Sequence, residues 1–323
     1  MFDSPVVRVR VPASTANLGP GFDTLGMALN LYAWIEMKQS DETRFHLYGD
    51  QLKGIPGDKF NLIYEVAQMV FNEAGVSVPE LEVSMYSDIP LTRGLGSSAS
   101  AIVGALAAAN ALIGSPLSDA KLFDMATVIE KHPDNVGASL YGGIITAVWD
   151  GVHAQCIRLD PGDHLEALVV IPGFELATSK ARGVLPAEFS LQDAVYNISR
   201  SSLLVAALAV GNLEVIAEAM KDRIHQPYRA ALVPGMAEIL KEAPRHGALG
   251  AALSGAGPTL LALVDRREQR KAELERFLKE TMQRESVPIR MMWLKPEAQG
   301  VKVYTDAESG RSFLDMIKGE SVL

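Results

Sequence analysis

Cysteine is almost absent: Cys156 is the only one in 323 residues. A single thiol excludes an internal disulfide and any multi-cysteine zinc site. It lies in "HAQCIRL", a strand-like stretch, where a thiol is expected to act as a small inert apolar group. Long hydrophobic runs are missing too. The longest, Ala99 to Ile113, is too short to span a bilayer. The opening "MFDSPVVRVRV" has no apolar segment of the kind that leads secretion, so a cytoplasmic protein is expected. Positive charge is in deficit, with 30 Lys+Arg against 39 Asp+Glu and a net charge of −9. That balance argues against nucleic acid or an anionic membrane as partner. An acidic chain that binds an anion must use local groups such as backbone N–H, helix N-termini and a few placed arginines. Internal repeats and low-complexity tracts are absent as well.

What is present is a mixture of two periodicities. Val6 to Val11 alternates as a strand that Pro12 should end, and a turn-rich stretch precedes a second strand at Leu31–Met37. "NLIYEVAQMVFNEAG" predicts a helix with Asn61 as N-cap, an apolar stripe at Ile63, Val66 and Val70, and a stop at Gly75. Leu81–Tyr86 alternates again. "SASAIVGALAAANALIG" is apolar on every face and predicts a buried central helix. Ser118 caps another helix, which "KHPDN" breaks, and "YGGIITAVW" predicts a strand. A turn at Asp160–Gly162 marks the expected domain boundary. Beyond it come strand "LEALVVIP", helices "SLLVAALAVGNLEVIAEAM" and "GMAEILKEA", strands "GALGAALSG" and "TLLALV", a charged helix near 266–284 and a last strand near 289–294. The final twenty or so residues are polar and expected to fray. Without strict βα alternation, the pattern predicts α+β layers.

The stretch "PLTRGLGSSAS", Pro90–Ser100, opens the central helix with glycines and serines. A Walker A loop needs a lysine after the glycines, and none follows. The fingerprint G-x-G-x-x-A is met, but it needs a strand running straight into the turn and an acid ending a second strand. Here Asp88 and Pro90 intervene, and twenty residues on lies a loop. A third design fits better. Gly94 and Gly96 allow a tight turn with N–H groups pointing inward, and Ser97 and Ser98 begin a helix whose N-terminus favours an anion. The plainer alternative is a serine-capped loop ahead of a core helix.

"IPLTRGLGSSAS" at 89–100 resembles the phosphate loop of the GHMP kinases. "VPASTANLGPGFDTLGMAL" at 11–29 is similar to the family's N-terminal substrate motif, in the form borne by members acting on homoserine. "LSGAGPTLLAL" at 253–263 resembles its C-terminal glycine-rich motif. "EKHPDNVGASLYGG", "TSKARGVLP" and "IHQPYRAALVPGM" extend the likeness from about residue 6 to 300. It implies a two-domain α+β GHMP kinase fold with ATP and substrate held between an N-terminal domain (1–160) and a C-terminal domain (161–300), followed by a tail (301–323). A homodimer is expected from family habit.

The activity this resemblance implies is phosphoryl transfer from MgATP to the hydroxyl of L-homoserine. It assigns ATP to Asn61 (adenine), to Pro90, Leu91, Thr92, Arg93, Gly94, Leu95, Gly96, Ser97, Ser98, Ala99 and Ser100, and to Gly255 and Gly257. Mg2+ falls to Ser98 and Glu130, since the ion seeks hard oxygens. The homoserine carboxylate calls for arginine, whose planar fork matches it, and the family-matched pair is Arg182 and Arg229. Asp23 answers the ammonium. Asn17 and Asn135 orient the hydroxyl, with His132 and Thr178 completing the pocket, and Asn17, Asn135 and Arg182 are the expected catalytic set. Asn135 stands where mevalonate kinase-like relatives carry an aspartate, so no carboxylate base is expected, with Asp134 as the rival. Two other readings stay open. One is a kinase for another small alcohol such as mevalonate, and the other a silent ATP-binding member.

Overall fold

The computed structural model describes residues 5–304 and 312–320. The first half holds β1 (Val7–Ala16), β2 (Leu25–Gln39), β3 (Arg44–Tyr48), α1 (Leu62–Glu73), β4 (Leu81–Ser87), α2 (Ser97–Leu112), α3 (Asp119–Glu130), α4 (Pro133–Tyr141), β5 (Ile144–Trp149) and β6 (Ala154–Leu159). The second holds β7 (Leu165–Pro172), α5 (Thr178–Gly183), α6 (Leu191–Val210), α7 (Ile216–Ala219), α8 (Gln226–Arg229), α9 (Met236–Glu242), β8 (Gly250–Leu253), β9 (Leu260–Asp265), α10 (Lys271–Arg284) and β10 (Ile289–Leu294). The chain then returns to the first half with β11 (Lys302–Tyr304) and α11 (Phe313–Glu320).

Strands β11-β1-β2-β4-β3 form one sheet, to which β5 and β6 add through β2, and β10-β7-β9-β8 form an antiparallel second sheet. The two sheets therefore exchange chain between β6 and β7, at the predicted 160–162 turn. Ile63, Val66 and Val70 of α1 and the apolar run of α2 pack under the first sheet with Val7, Val9 and Val11. The other apolar side is shared between domains: Ala13, Leu25, Met27 and Leu31 meet Ala167, Val169, Leu261 and Leu263. Leu168, Val170 and Ala262, on the second sheet's far face, pack with α9 and α10. One buried apolar layer thus welds the halves and fixes the cleft between them.

Four expectations are corrected. Pro12 does not end the first strand. The ladder slips there, with Pro12 opposite Tyr32 but Ala13 opposite Leu29, and pairing runs on to Ala16. The turn-rich stretch contracts to a bend between Asn17 and Asp23, both at positive φ, where short polar side chains are tolerated. The helix expected to run through 202–220 begins at Leu191, where Ser190 caps the Asp193 N–H, and Gly211 stops it in the left-handed region. Finally, the described part of the tail does not fray. Val303 pairs with Val9, and Phe313, Met316 and Ile317 cover Tyr32 and Trp34. Cys156 is half-buried on β6, where burial pushes its thiol up. Among the described residues, no helix is long and apolar enough to cross a membrane.

Candidate active site

A cavity of about 140 Å³ opens between the domains. The first half lines it with Ala16, Asn17, Phe22, Asp23, Thr92, Gly94, Gly96, Ser97, Ser98, Glu130, His132, Asp134 and Asn135, and the second with Leu176, Thr178, Arg182, Arg229, Gly255, Ala256 and Gly257. The sequence-predicted residues of both domains therefore meet, with a few exceptions.

At one end stands the N-terminus of α2. Its cap residue, Gly96, is in the left-handed region and offers no capping side chain, so the first N–H groups of α2 are open toward an anion. Glycine is obligatory there, because a Cβ on Gly96 would lie 2.1 Å from Ser14 Oγ. The "SGAGPT" loop clamps this turn. Ser254 Oγ donates to Gly94 O (2.5 Å) and accepts from the Thr15 hydroxyl (2.8 Å), and Thr259 N–H donates to Arg93 O (3.2 Å).

Beside it, Ser98 Oγ donates to Glu130 Oε2 at 3.0 Å. Burial raises the Glu130 carboxyl above its usual range, against the pull of His132 and Ser98. A half-buried carboxylate and a hydroxyl beside an open helix N-terminus suit a hard divalent cation shared with phosphate. His132 Nδ1 lies 2.6 Å from Asp134 Oδ1, and the Asn135 N–H donates to the same oxygen at 2.7 Å. Burial lowers the imidazole's affinity for a proton, yet Asp134, Glu130 and Asp23 together outweigh it and raise the pKa. Ser14 Oγ donates to Asn135 Oδ1 (2.9 Å), leaving Asn135 Nδ2 without a protein partner among the described residues.

Asp23 lies close to His132 and Asp134, their ligand atoms within 4.8 Å of one another, and Arg182 grips Asp23 with two hydrogen bonds, 2.9 and 2.7 Å long. Arg229 is buried, and burial, with Arg182 close by, brings its guanidinium down to about 10. Both guanidinium carbons stand 5.3 Å from the Phe22 ring centre. Asn17 bridges the two halves of the molecule. Its Nδ2 donates to Gly255 O (3.0 Å) and its Oδ1 accepts from Asp23 N–H (3.0 Å), so it ties the two domains' loops together.

Other residues fall outside the cavity. Asn61 is buried as the cap of α1, accepting from Ile63 N–H (2.9 Å) and donating to Pro56 O (2.6 Å). Pro90, Leu91 and Arg93 line a separate groove with Lys53 and Glu175. Leu95, Ala99 and Ser100 turn into the core and offer only backbone. Phe22, Asp222 and His225 escaped sequence reasoning. The spacing in "DRIHQPYR" was the available signal, an aspartate placed to cap the turn before Pro227.

The family model described as the GHMP kinases N terminal domain matches residues 61–143, and that of the GHMP kinases C terminal domain matches 204–283. A homoserine kinase of Deinococcus radiodurans is 44% identical over 91% of this chain and 96% of its own length. One of Desulfitobacterium hafniense is 43% identical over 92% of this chain and 100% of its own. The chain belongs to the homoserine kinases of the GHMP family. The crystal structure of the homoserine kinase from Cytophaga hutchinsonii superposes with a TM-score of 0.83 at 27% identity, covering 94% of this chain and 98% of that one. A mevalonate kinase structure at 18% identity and TM-score 0.66 shares the fold. Membership in this kinase family brings ATP as co-substrate.

Proposed function

We propose that the protein transfers the terminal phosphoryl group of MgATP to the side-chain hydroxyl of L-homoserine, giving O-phospho-L-homoserine. Residues 1–160 act as the nucleotide-binding GHMP domain. Residues 161–300 act as its partner, and the segment from Lys302 returns to the first sheet. The observation that carries the reading is the Asp23–Arg182 pair, with Arg229 lining the same cavity. A free amino acid brings one anion and one cation. Its carboxylate takes the guanidinium face of Arg182 and Arg229, and its ammonium takes Asp23, so each half of the resident ion pair gains a new partner. Mevalonate lacks the ammonium and would leave Asp23 without that exchange.

The triphosphate lies along the backbone N–H groups from Gly94 to Ser98, with Gly255 and Gly257 closing the turn from the second domain. Ser98 and Glu130 hold Mg2+, which neutralises charge on the phosphates when bound. Asn135 directs its free Nδ2 at the substrate hydroxyl, while Asn17 braces the walls. Asp134 braces the turn rather than acting as base, its Oδ1 engaged by His132 and by the Asn135 N–H. Phosphoryl transfer through a loose transition state asks little of the nucleophile, so positioning and charge neutralisation carry the reaction. An ADP-release assay with homoserine, mevalonate, serine and threonine tests the assignment. Turnover with homoserine alone is expected. Equal turnover with mevalonate, or none with any of the four, would refute it.

A further inference from the structure

Arg229 is held by groups other than those already assigned. Its Nε donates to Ala181 O (3.0 Å), and its Nη1 donates both to Gly255 O (3.1 Å) and to His225 Nδ1 (3.2 Å). Its Nη2 has no protein partner among the described residues, and the side chain lines the cavity. His225 is fully buried, one turn before Arg229, and its Nε2 lies 2.8 Å from Gly19 O. A carbonyl oxygen only accepts, so Nε2 carries a proton. A guanidinium only donates, so Nδ1 must present its lone pair. The two neighbours thus fix one neutral tautomer.

The imidazole is itself fixed. Asp222 accepts the N–H groups of Ile224, His225 and Gln226, at 2.9, 3.0 and 2.6 Å, and so pins the turn that carries it. Phe22 stacks on the ring at 5.2 Å. We propose that His225 is a positioning residue for the substrate carboxylate: as the Nε2-protonated neutral tautomer it accepts from Arg229 Nη1 and turns the unpartnered Nη2 edge into the cavity. Burial lowers the pKa of His225, with Arg229 adding to the shift and Asp222, Gly19 O and Asp23 opposing it, which keeps the acceptor available at neutral pH. This inference rests on the reading that Arg229 binds the homoserine carboxylate.

Steady-state kinetics of the full chain at saturating MgATP separates the two claims. Arg229→Ala should raise KM for homoserine. If it does not, the assignment of Arg229 falls, whatever His225 does. His225→Asn places an amide oxygen where Nδ1 stood, whereas His225→Gln reaches only the Nε2 position beside Gly19 O. His225→Gln is expected to raise KM for homoserine about 5- to 30-fold, the worth of one buried acceptor, with kcat and the KM for ATP nearly unchanged. His225→Asn should recover most of that loss. Equal KM values for the two variants, with Arg229→Ala still impaired, would overturn the positioning role. Should either variant misfold, 15N NMR of histidine-labelled wild type decides between pH 6 and 8. A neutral Nε2–H ring supports the proposal, and an imidazolium or Nδ1–H ring refutes it.

Discussion

Asp23 and Arg182 are each about one-third exposed and satisfy one another without substrate. Removing either partner should therefore hurt homoserine recognition more than protein stability. Asp23→Asn and Arg182→Ala are expected to lower kcat/KM for homoserine by about 2 kcal/mol, the low end for a charged contact because water screens the pair. ATP binding measured by calorimetric titration should hold, and an equal loss of ATP affinity would place the pair in the wrong pocket. Glu130 makes a second claim at this scale. Glu130→Ala should shift the activity curve to higher free Mg2+ more than Ser98→Ala does, since water replaces a hydroxyl more readily than a carboxylate. An unchanged magnesium curve would send the search to Asp134. For Asp134→Asn, single-turnover rates should fall about tenfold or less, against the 10²–10⁴-fold typical of a lost general base. These residues were named from the family resemblance of their motifs, with charge suggesting which of them suits a zwitterion and which a triphosphate. For Asn61 a cap and an adenine contact look alike in sequence, and the structure shows the cap, bonded to Ile63 N–H and Pro56 O.

At the scale of elements, the site is two turns pressed against each other. The phosphate loop and "SGAGPT" meet backbone to backbone, so a side chain at Gly94 would lie 2.3 Å from Ser254 O. Gly96 faces a similar wall in Ser14, whose hydroxyl also fixes Asn135. Gly96→Ala should therefore displace Ser14, lower thermal stability and abolish most turnover. Circular dichroism melts and activity would reveal it, and a variant with wild-type values of both would show the contact to be soft. Helices α1 and α3 were readable because Asn61 and Ser118 cap N–H groups only two or three residues on, and α2 because its apolar run is unbroken on every face. The first strand pair was harder. Pro12 looks like a terminus, but the slip in the ladder opposite Tyr32 absorbs it, and that compensation lies twenty residues away. The start of α6 at Leu191 was hidden for another reason. Leu191, Val195 and Ile198 are exposed, so its first turns carry no buried stripe.

For the whole molecule, the chain's return to the first sheet decides how the halves are tied. After β10 the backbone runs along the first domain, with Glu297 N–H bonded to Ala28 O (2.9 Å) and Glu297 O accepting from Gly143 N–H (2.7 Å). Strand β11 then pairs with β1, and α11 seals Trp34. The second domain is thus an insertion between two parts of the first sheet, an arrangement invisible to a reading that divides the chain linearly. The apolar triplet Phe313, Met316 and Ile317 at helical spacing was nevertheless a signal, outweighed in the sequence by the polar residues around it. Phe313 is 6% exposed and its ring packs 6.0 Å from Tyr48. Phe313→Ala should cost about 3 kcal/mol of stability, since deleting a buried phenyl leaves a cavity that its neighbours fill only partly. Among the described residues, none of α11 lines the cleft, so KM for homoserine and for ATP should stay at wild-type values below the new melting temperature. Urea unfolding alongside steady-state kinetics separates the two effects. Unchanged stability would mean that α11 sits on the sheet without supporting it. A raised KM with stability intact would mean that the return strand, rather than the shared apolar layer, sets the geometry of the cleft.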